Sequence, residues 1–231
     1  YAAAKTMADG VFVERQAGAS ATVTLAAAAE AAATGNKRLF GLFGGAGGSF
    51  EWGTPVNAPG NPSIPRGSVE NPTLAEATTA ALTVLAQDPD GLFLMIEQGQ
   101  IDSANHANDF AHMVAMVADL DQAVEAVIHF VDRPGDALDW KNTTVIVTAD
   151  HANSYMRFGA TTLGRGEMPA VPTAGYVTYK STGHTNELVT IYARGASSDV
   201  FWHYATLYPG KPLIDNTAIF HGMIEAARAG R

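Results

Sequence analysis

The stretch LFLMIEQGQIDSANHAND, residues 92–109, passes from an apolar run to a cluster of acids, amides and a histidine within one short span. Leu92 to Glu97 reads as a buried strand, because a strand covered on both faces is apolar throughout rather than alternating. The residues beyond it read as a helix start. Asp102 and His106 are four residues apart, so a helix beginning near Asp102 places both on one face, close enough to share an ion. A polar loop and a metal site both account for such a cluster, and the remainder of the chain has to separate them.

Three further apolar runs read as buried strands: Arg38 to Phe43, Thr143 to Thr148 and Leu188 to Ala193. Helical patterns lie between or beside them. Residues 22–34 are rich in Ala and stop at Gly35. Residues 72–86 open with Pro72 in the first turn, after Asn71 as N-cap. From Asn105 to Asp132, Met113, Met116, Val117, Leu120, Val124, Val127, Ile128 and Val131 follow three- and four-residue steps, which predicts one long amphipathic helix ended by Pro134-Gly135. A final helix is predicted over Thr217 to Ala229, capped by Asp215 or Asn216. Apolar strands alternating with helices indicate an α/β fold, a sheet with helices on both faces. Two long segments, 44–71 and 152–187, hold many Gly and Pro residues and read as loops of functional length.

The bulk properties narrow the function. A chain of 231 residues forms one large domain or two small ones, and a hydrophobic content of 47% supplies a sizeable core. The net charge of -9 argues against a nucleic-acid-binding surface, which needs a basic face. Apolar runs such as Leu92 to Ile96 are too short to span a bilayer, so no membrane segment is expected. The absence of Cys excludes disulfides and thiolate metal sites, and leaves His, Asp and Glu as ligands. The chain starts at Tyr1 without Met and without a signal-peptide pattern. A removed signal, or a larger upstream part of the protein, is the expectation.

In open α/β sheets ligands gather beyond the carboxyl ends of the strands. Glu97 closes one apolar run, and Asp150 and His151 directly follow another, TTVIVTADH. His184, in KSTGHTNELVT, precedes a strand, and it reaches the same edge if that strand runs antiparallel to its neighbours. Zinc accepts imidazole nitrogen and carboxylate oxygen, whereas Glu97 is a hard oxygen donor better suited to magnesium. Each element also has a plainer reading. His184 alone fits a surface residue in a Gly-rich loop, Asp150-His151 a turn with a helix cap, and Asp102 with His106 a capped helix start. Their joint occurrence in this order is more specific than any one of them.

The segments MIEQGQIDSANHAND, VIVTADH, STGHTNELVTIYARG and LIDNTAIFHGM resemble those of the alkaline phosphatases, as do the upstream NKRLFGLF and NPTLAEATTAAL. The resemblance runs from about residue 37 to 224. It implies an α/β sandwich around a central, mostly parallel sheet, in a homodimer. It further implies hydrolysis of phosphate monoesters at alkaline pH in the periplasm or outside the cell. By position, Asp102, His106 and His184 match the ligands of one zinc, Asp150 and His151 those of a second, and Glu97 a ligand of magnesium. The family's nucleophilic Ser, a Thr or Ser magnesium ligand and often a phosphate-binding Arg lie upstream of the matched region. Residues 1–231 therefore resemble the C-terminal portion of one catalytic domain, with an N-terminal segment of the same enzyme as the expected partner that brings the nucleophile.

Asp102-Ser103-Ala104 looks like the nucleophile motif, but Asp102 already fills the zinc-ligand place, which leaves Ser103 a phosphate contact through water. The chain departs from many members at Ala152-Asn153-Ser154, where the surroundings of His151 are set. Arg157 and Arg165 read as phosphate contacts or as solvated side chains. His112 and His129 read as structural or exposed, and His203 and His221 match no ligand position. Related superfamily metallohydrolases, among them phosphodiesterases, sulfatases and cofactor-independent phosphoglycerate mutases, share such Asp/His sets. The E-x4-D-x3-H spacing favours alkaline phosphatase. A metal-binding or structural subunit without catalysis is the non-enzymatic alternative.

Overall fold

Gly10–Glu14 and Arg38–Leu42 run parallel, in register from Gly10 opposite Arg38 to Glu14 opposite Leu42, and the helix Ala21–Thr34 joins them. This βαβ unit belongs to a computed structural model that describes residues 2–45, 50, 52–58, 61–135, 138–159 and 177–229. The crossover helix forms readily because Ala loses no side-chain entropy on ordering. Its Ala29, 1% exposed, packs with Ala80 of the helix Leu74–Leu85, and small side chains on both let the helices approach closely. Val13, Leu25, Ala29 and Ala80 form the core between these layers.

The start of the Leu74–Leu85 helix differs from expectation. Thr73, not Asn71, is the N-cap. Its hydroxyl accepts the Glu76 N–H at 3.2 Å, and the Glu76 carboxylate accepts the Thr73 N–H at 2.9 Å. This reciprocal pair satisfies two helix-end donors at once. Asn71 is buried instead, and its side-chain oxygen accepts the Gly44 N–H at 2.8 Å.

The single long helix expected over Asn105 to Asp132 is two helices, Gln100–His106 and Phe110–Val131. Asn108 adopts φ 54°, a left-handed conformation that Asn tolerates better than most residues and that ends the first helix. The Asp109 carboxylate then accepts the His112 N–H at 3.0 Å and starts the second. Local hydrogen bonding by Asn and Asp thus overrides the apolar periodicity at the junction.

Leu92 to Glu97 is not a buried strand. None of its residues is in a strand, and Phe93 and Met95 are 72% and 79% exposed. Exposure alternates along 91–98, which is the pattern of an extended chain, but among the described residues no strand pairs with it. A ladder requires a neighbour, and apolar composition alone does not supply one.

The chain divides into two compact units, Tyr1–Phe130 with Asn153–Thr185, and Val131–Ala152 with Asn186–Arg231. In the second unit Thr144–Val147 pairs antiparallel with Tyr192–Gly195, from Tyr192 opposite Val147 to Gly195 opposite Thr144. The first strand lies where expected. The second runs antiparallel to it but begins later than expected, and Leu188 and Val189 before it are 63% and 39% exposed. Thr217–Ala229 forms the predicted last helix. Asp215 caps it, accepting from the Thr217 N–H at 2.9 Å and the Thr217 hydroxyl at 2.6 Å.

The class is α/β, with helices alongside strands that pair two by two among the described residues. The segment 44–71 carries the hairpin Val56–Ala58 with Asn61–Ser63. In the segment 152–187, Arg157–Phe158 pairs with Val177–Thr178, and residues 160–176, with Arg165, lie outside the described residues. Among the described residues no helix is long and apolar enough to cross a membrane.

Candidate metal centre

The helix Gln100–His106 is held from below by Ala104, which packs with Phe110 and Met113 in a small core joined by Ile101, Val114, Met156, Val177 and Tyr179. Its start is tied to the long helix. Gln98 accepts the Gln100 N–H at 3.1 Å and donates its side-chain amide to Asp119 at 2.5 Å. Asp119 is 4% exposed, and its burial pushes the carboxyl above the ordinary carboxylate range, against the lowering effect of the Gln98 hydrogen bond.

On the other face of this short helix, Asp102 and His106 stand one turn apart, with His106 Nε2 3.2 Å from Asp102 Oδ2. His184 joins them. Its Nε2 is 3.2 Å from Asp102 Oδ1 and 3.1 Å from His106 Nε2. The loop carrying it is anchored by Ser154, whose N–H donates to Gly183 at 2.8 Å and whose carbonyl accepts the Lys180 N–H at 3.1 Å. The Thr182 carbonyl lies 2.5 Å from His106 Nδ1. A carbonyl only accepts, so His106 carries a proton on Nδ1, and in the neutral ring the nitrogen left to coordinate a metal is Nε2, which faces Asp102 and His184.

This geometry fits a zinc ion. Tetrahedral ligands at about 2.0 to 2.1 Å from zinc stand about 3.3 Å from one another. The separation of His106 Nε2 from His184 Nε2, 3.1 Å, is close to that edge length, and Asp102 faces both rings, with Oδ2 3.2 Å from His106 and Oδ1 3.2 Å from His184. One carboxylate and two imidazoles form a normal zinc donor set. The side chains of Asp102, His106 and His184 are 38%, 39% and 51% exposed, so an ion held by them would be within reach of solvent or substrate.

The other expected site residues are placed as follows. Asp150 and His151 lie in the second unit, His151 Nε2 3.3 Å from Asp150 Oδ2, with the Asp150 side chain 87% exposed. The His151 N–H donates to the same carboxylate at 3.1 Å. Glu97 is exposed, just before the site helix, and Ser103 is exposed on it. Arg157 is exposed, donates to the Met156 carbonyl at 2.8 Å and lies over the Tyr155 ring. His129 is exposed, and the His112 side chain is partly buried, with its N–H in the helix cap described above. His221 stacks on Tyr204. Composition and spacing gave no signal for Thr182, Ser154 or the Gln98–Asp119 pair. Asn153 was visible as a departure from the family pattern, but nothing local indicated its contact with Asp102.

The alkaline phosphatase family matches residues 15–174. The alkaline phosphatase of Escherichia coli is 32% identical over 161 residues, which cover 65% of this chain and 33% of that protein. Alkaline phosphatase H of Pseudomonas aeruginosa is 38% identical over 90 residues, 39% of this chain and 18% of that one. The structure of the alkaline phosphatase from the Antarctic bacterium TAB5 covers 94% of this chain and 52% of its own, with a TM-score of 0.59 at 21% identity. A TAB5 variant solved with magnesium bound in its M3 site gives a TM-score of 0.60 at 22% identity, covering 94% of this chain and 53% of its own. The chain thus spans about half the length of these structures, and less of the curated relatives is aligned with it. With a family match across more than half of its residues, the chain belongs to the alkaline phosphatase family.

Proposed function

We propose that this chain forms the metal-bearing part of an enzyme that hydrolyses phosphate monoesters at alkaline pH through two zinc ions, one magnesium ion and a phosphoseryl intermediate. The observation that carries the reading is the convergence of Asp102, His106 and His184: the two Nε2 atoms stand 3.1 Å apart, and one Asp102 oxygen lies 3.2 Å from each, a donor set that suits a zinc ion. Asp150 and His151 hold the second zinc, and Glu97 is a ligand of the magnesium, in keeping with the magnesium in the TAB5 variant. When bound, such paired ions stabilise both the attacking and the leaving oxygen of an in-line displacement.

The chain's own residues prepare the site. Asp102 offsets metal charge. The Thr182 carbonyl keeps His106 in the tautomer whose Nε2 is free to coordinate. The solvent-open side of the triangle admits a phosphate oxygen, and Ser103, exposed on the same helix, contacts phosphate through water. The nucleophilic serine comes from an N-terminal segment of the enzyme outside these 231 residues. The working unit is a homodimer in the periplasm or outside the cell.

The test is metal analysis of the intact protein beside turnover of p-nitrophenyl phosphate, a phosphodiester and a sulfate ester. About two zinc per site and preference for the monoester are expected. Preference for the diester or sulfate ester would assign the chain to another metallohydrolase of the superfamily. Zinc uptake without turnover of any of them would leave a metal-binding subunit.

A further inference from the structure

The dipeptide Asn153-Ser154 bonds to Asp102 and to Asn105 and Gly183, the residues preceding His106 and His184. Asn153 Nδ2 donates to Asp102 Oδ1 at 2.7 Å and lies 3.4 Å from the Asp102 carbonyl. The Asn153 side-chain oxygen faces the Ser154 hydroxyl at 2.8 Å. The Asp102 carboxylate, which only accepts, sets the amide orientation. Turned over, the amide would aim its oxygen at the carboxylate and its NH2 at the hydroxyl, losing the charge-assisted bond to Asp102.

Ser154 fixes the dipeptide in turn. It is 0% exposed. Its hydroxyl lies 2.7 Å from the Asn105 carbonyl, next to His106. Its backbone binds Gly183, Lys180 and Ser181 on both sides of Thr182. Ser154 and Tyr155 adopt φ 62° and 45°, two successive non-glycine residues in the left-handed region. Such backbone costs free energy and persists where surrounding contacts over-determine it. Here those contacts are the ones that bring the His184 loop against the site helix.

We propose that Asn153 is a positioning residue for zinc binding: it holds the Asp102 carboxylate in the orientation in which one oxygen faces His106 and the other His184. An amide suits this task because it is a neutral, permanent donor. It leaves the full negative charge of Asp102 to offset the metal, and it does not titrate, so its hold does not change with pH. The inference rests on the zinc reading of the Asp102, His106 and His184 triangle.

The experiment is a zinc titration of the intact, chelator-stripped protein, comparing the parent with Asn153→Ala, Asp102→Asn and the double variant. Asn153→Ala is expected to weaken one zinc equivalent by about 10- to 100-fold, the usual effect of losing a hydrogen bond that orients a ligand. In the Asp102→Asn background the same change is expected to have little further effect, because it acts through Asp102. Asn153→Leu keeps the volume without the amide and serves if the alanine variant folds poorly by circular dichroism. Parent-like affinity in a folded variant, or an equal loss in both backgrounds, overturns the proposal. Two normal zinc equivalents in the parent, one of them lost in His184→Ala, would keep the site reading intact even then. If the parent takes up no zinc, the site reading fails and this inference with it.

Discussion

His106 and His184 bring their Nε2 atoms to 3.1 Å although 78 residues separate them. His106 directs its Nδ1–H to Thr182, which leaves Nε2 as the coordinating atom of the neutral ring. A divalent cation held between the two Nε2 atoms and Asp102 would lose a ligand with either ring. His184→Ala is therefore expected to remove one zinc equivalent from the intact protein by metal analysis. The parent should gain stability from added zinc, by about 2.7 kcal/mol at 100 times its dissociation constant, and the variant should lose the share due to that site. Unchanged zinc content with lowered stability would mark His184 as structural.

Asp119 predicts a pH dependence. Burial raises its folded pKa above the unfolded value of 3.8, so the folded state holds the proton more tightly. The stability this gives is complete below the unfolded value and is lost as pH rises through the folded one. Asp119→Asn keeps an oxygen for Gln98 and removes the charge. Urea unfolding from pH 4 to 8 is expected to show a variant with a smaller decline and greater stability than the parent at neutral pH. The same slope in both proteins would reject this role for Asp119.

Thr73→Ala removes the acceptor for the Glu76 N–H and opens the capping box. The cost is about 1 kcal/mol, read as a lower urea midpoint at constant slope. Thr73→Ser, which keeps the hydroxyl, should restore most of it, whereas equal midpoints for the alanine and serine variants would show that the cap contributes nothing.

Gly222→Ala tests the second unit. A β-carbon there would lie 2.5 Å from Phe201 Cε1, and Phe201 is 7% exposed. The helix propensity gained, about 1 kcal/mol, is set against overpacking of about 1–3 kcal/mol. Net destabilisation is expected, relieved when Phe201→Leu makes room. A more stable single variant would mean that the ring moves away without cost.

The sequence by itself determined the donor chemistry and the local frame. Without Cys, only His, Asp and Glu remain to bind a metal. The four-residue step from Asp102 to His106 places both on one helical face, as found. Ala content, start signals and periodicity located the helices over 21–34, 74–85 and 217–229 to within a few residues and the body of the helix over 110–131, since each depends on contacts within a few turns. Where a short polar side chain competes for backbone hydrogen bonds, as at Thr73 and Asn108, local reading missed the boundary. Only the tertiary structure decided that the apolar run 92–97 has no partner strand among the described residues, because pairing needs a second segment that composition cannot name. It alone placed His184 against Asp102, put Thr182 behind His106 and brought Asn153 to Asp102. Those contacts join segments roughly 50 to 80 residues apart, and their positions depend on how helices and loops pack rather than on any local preference.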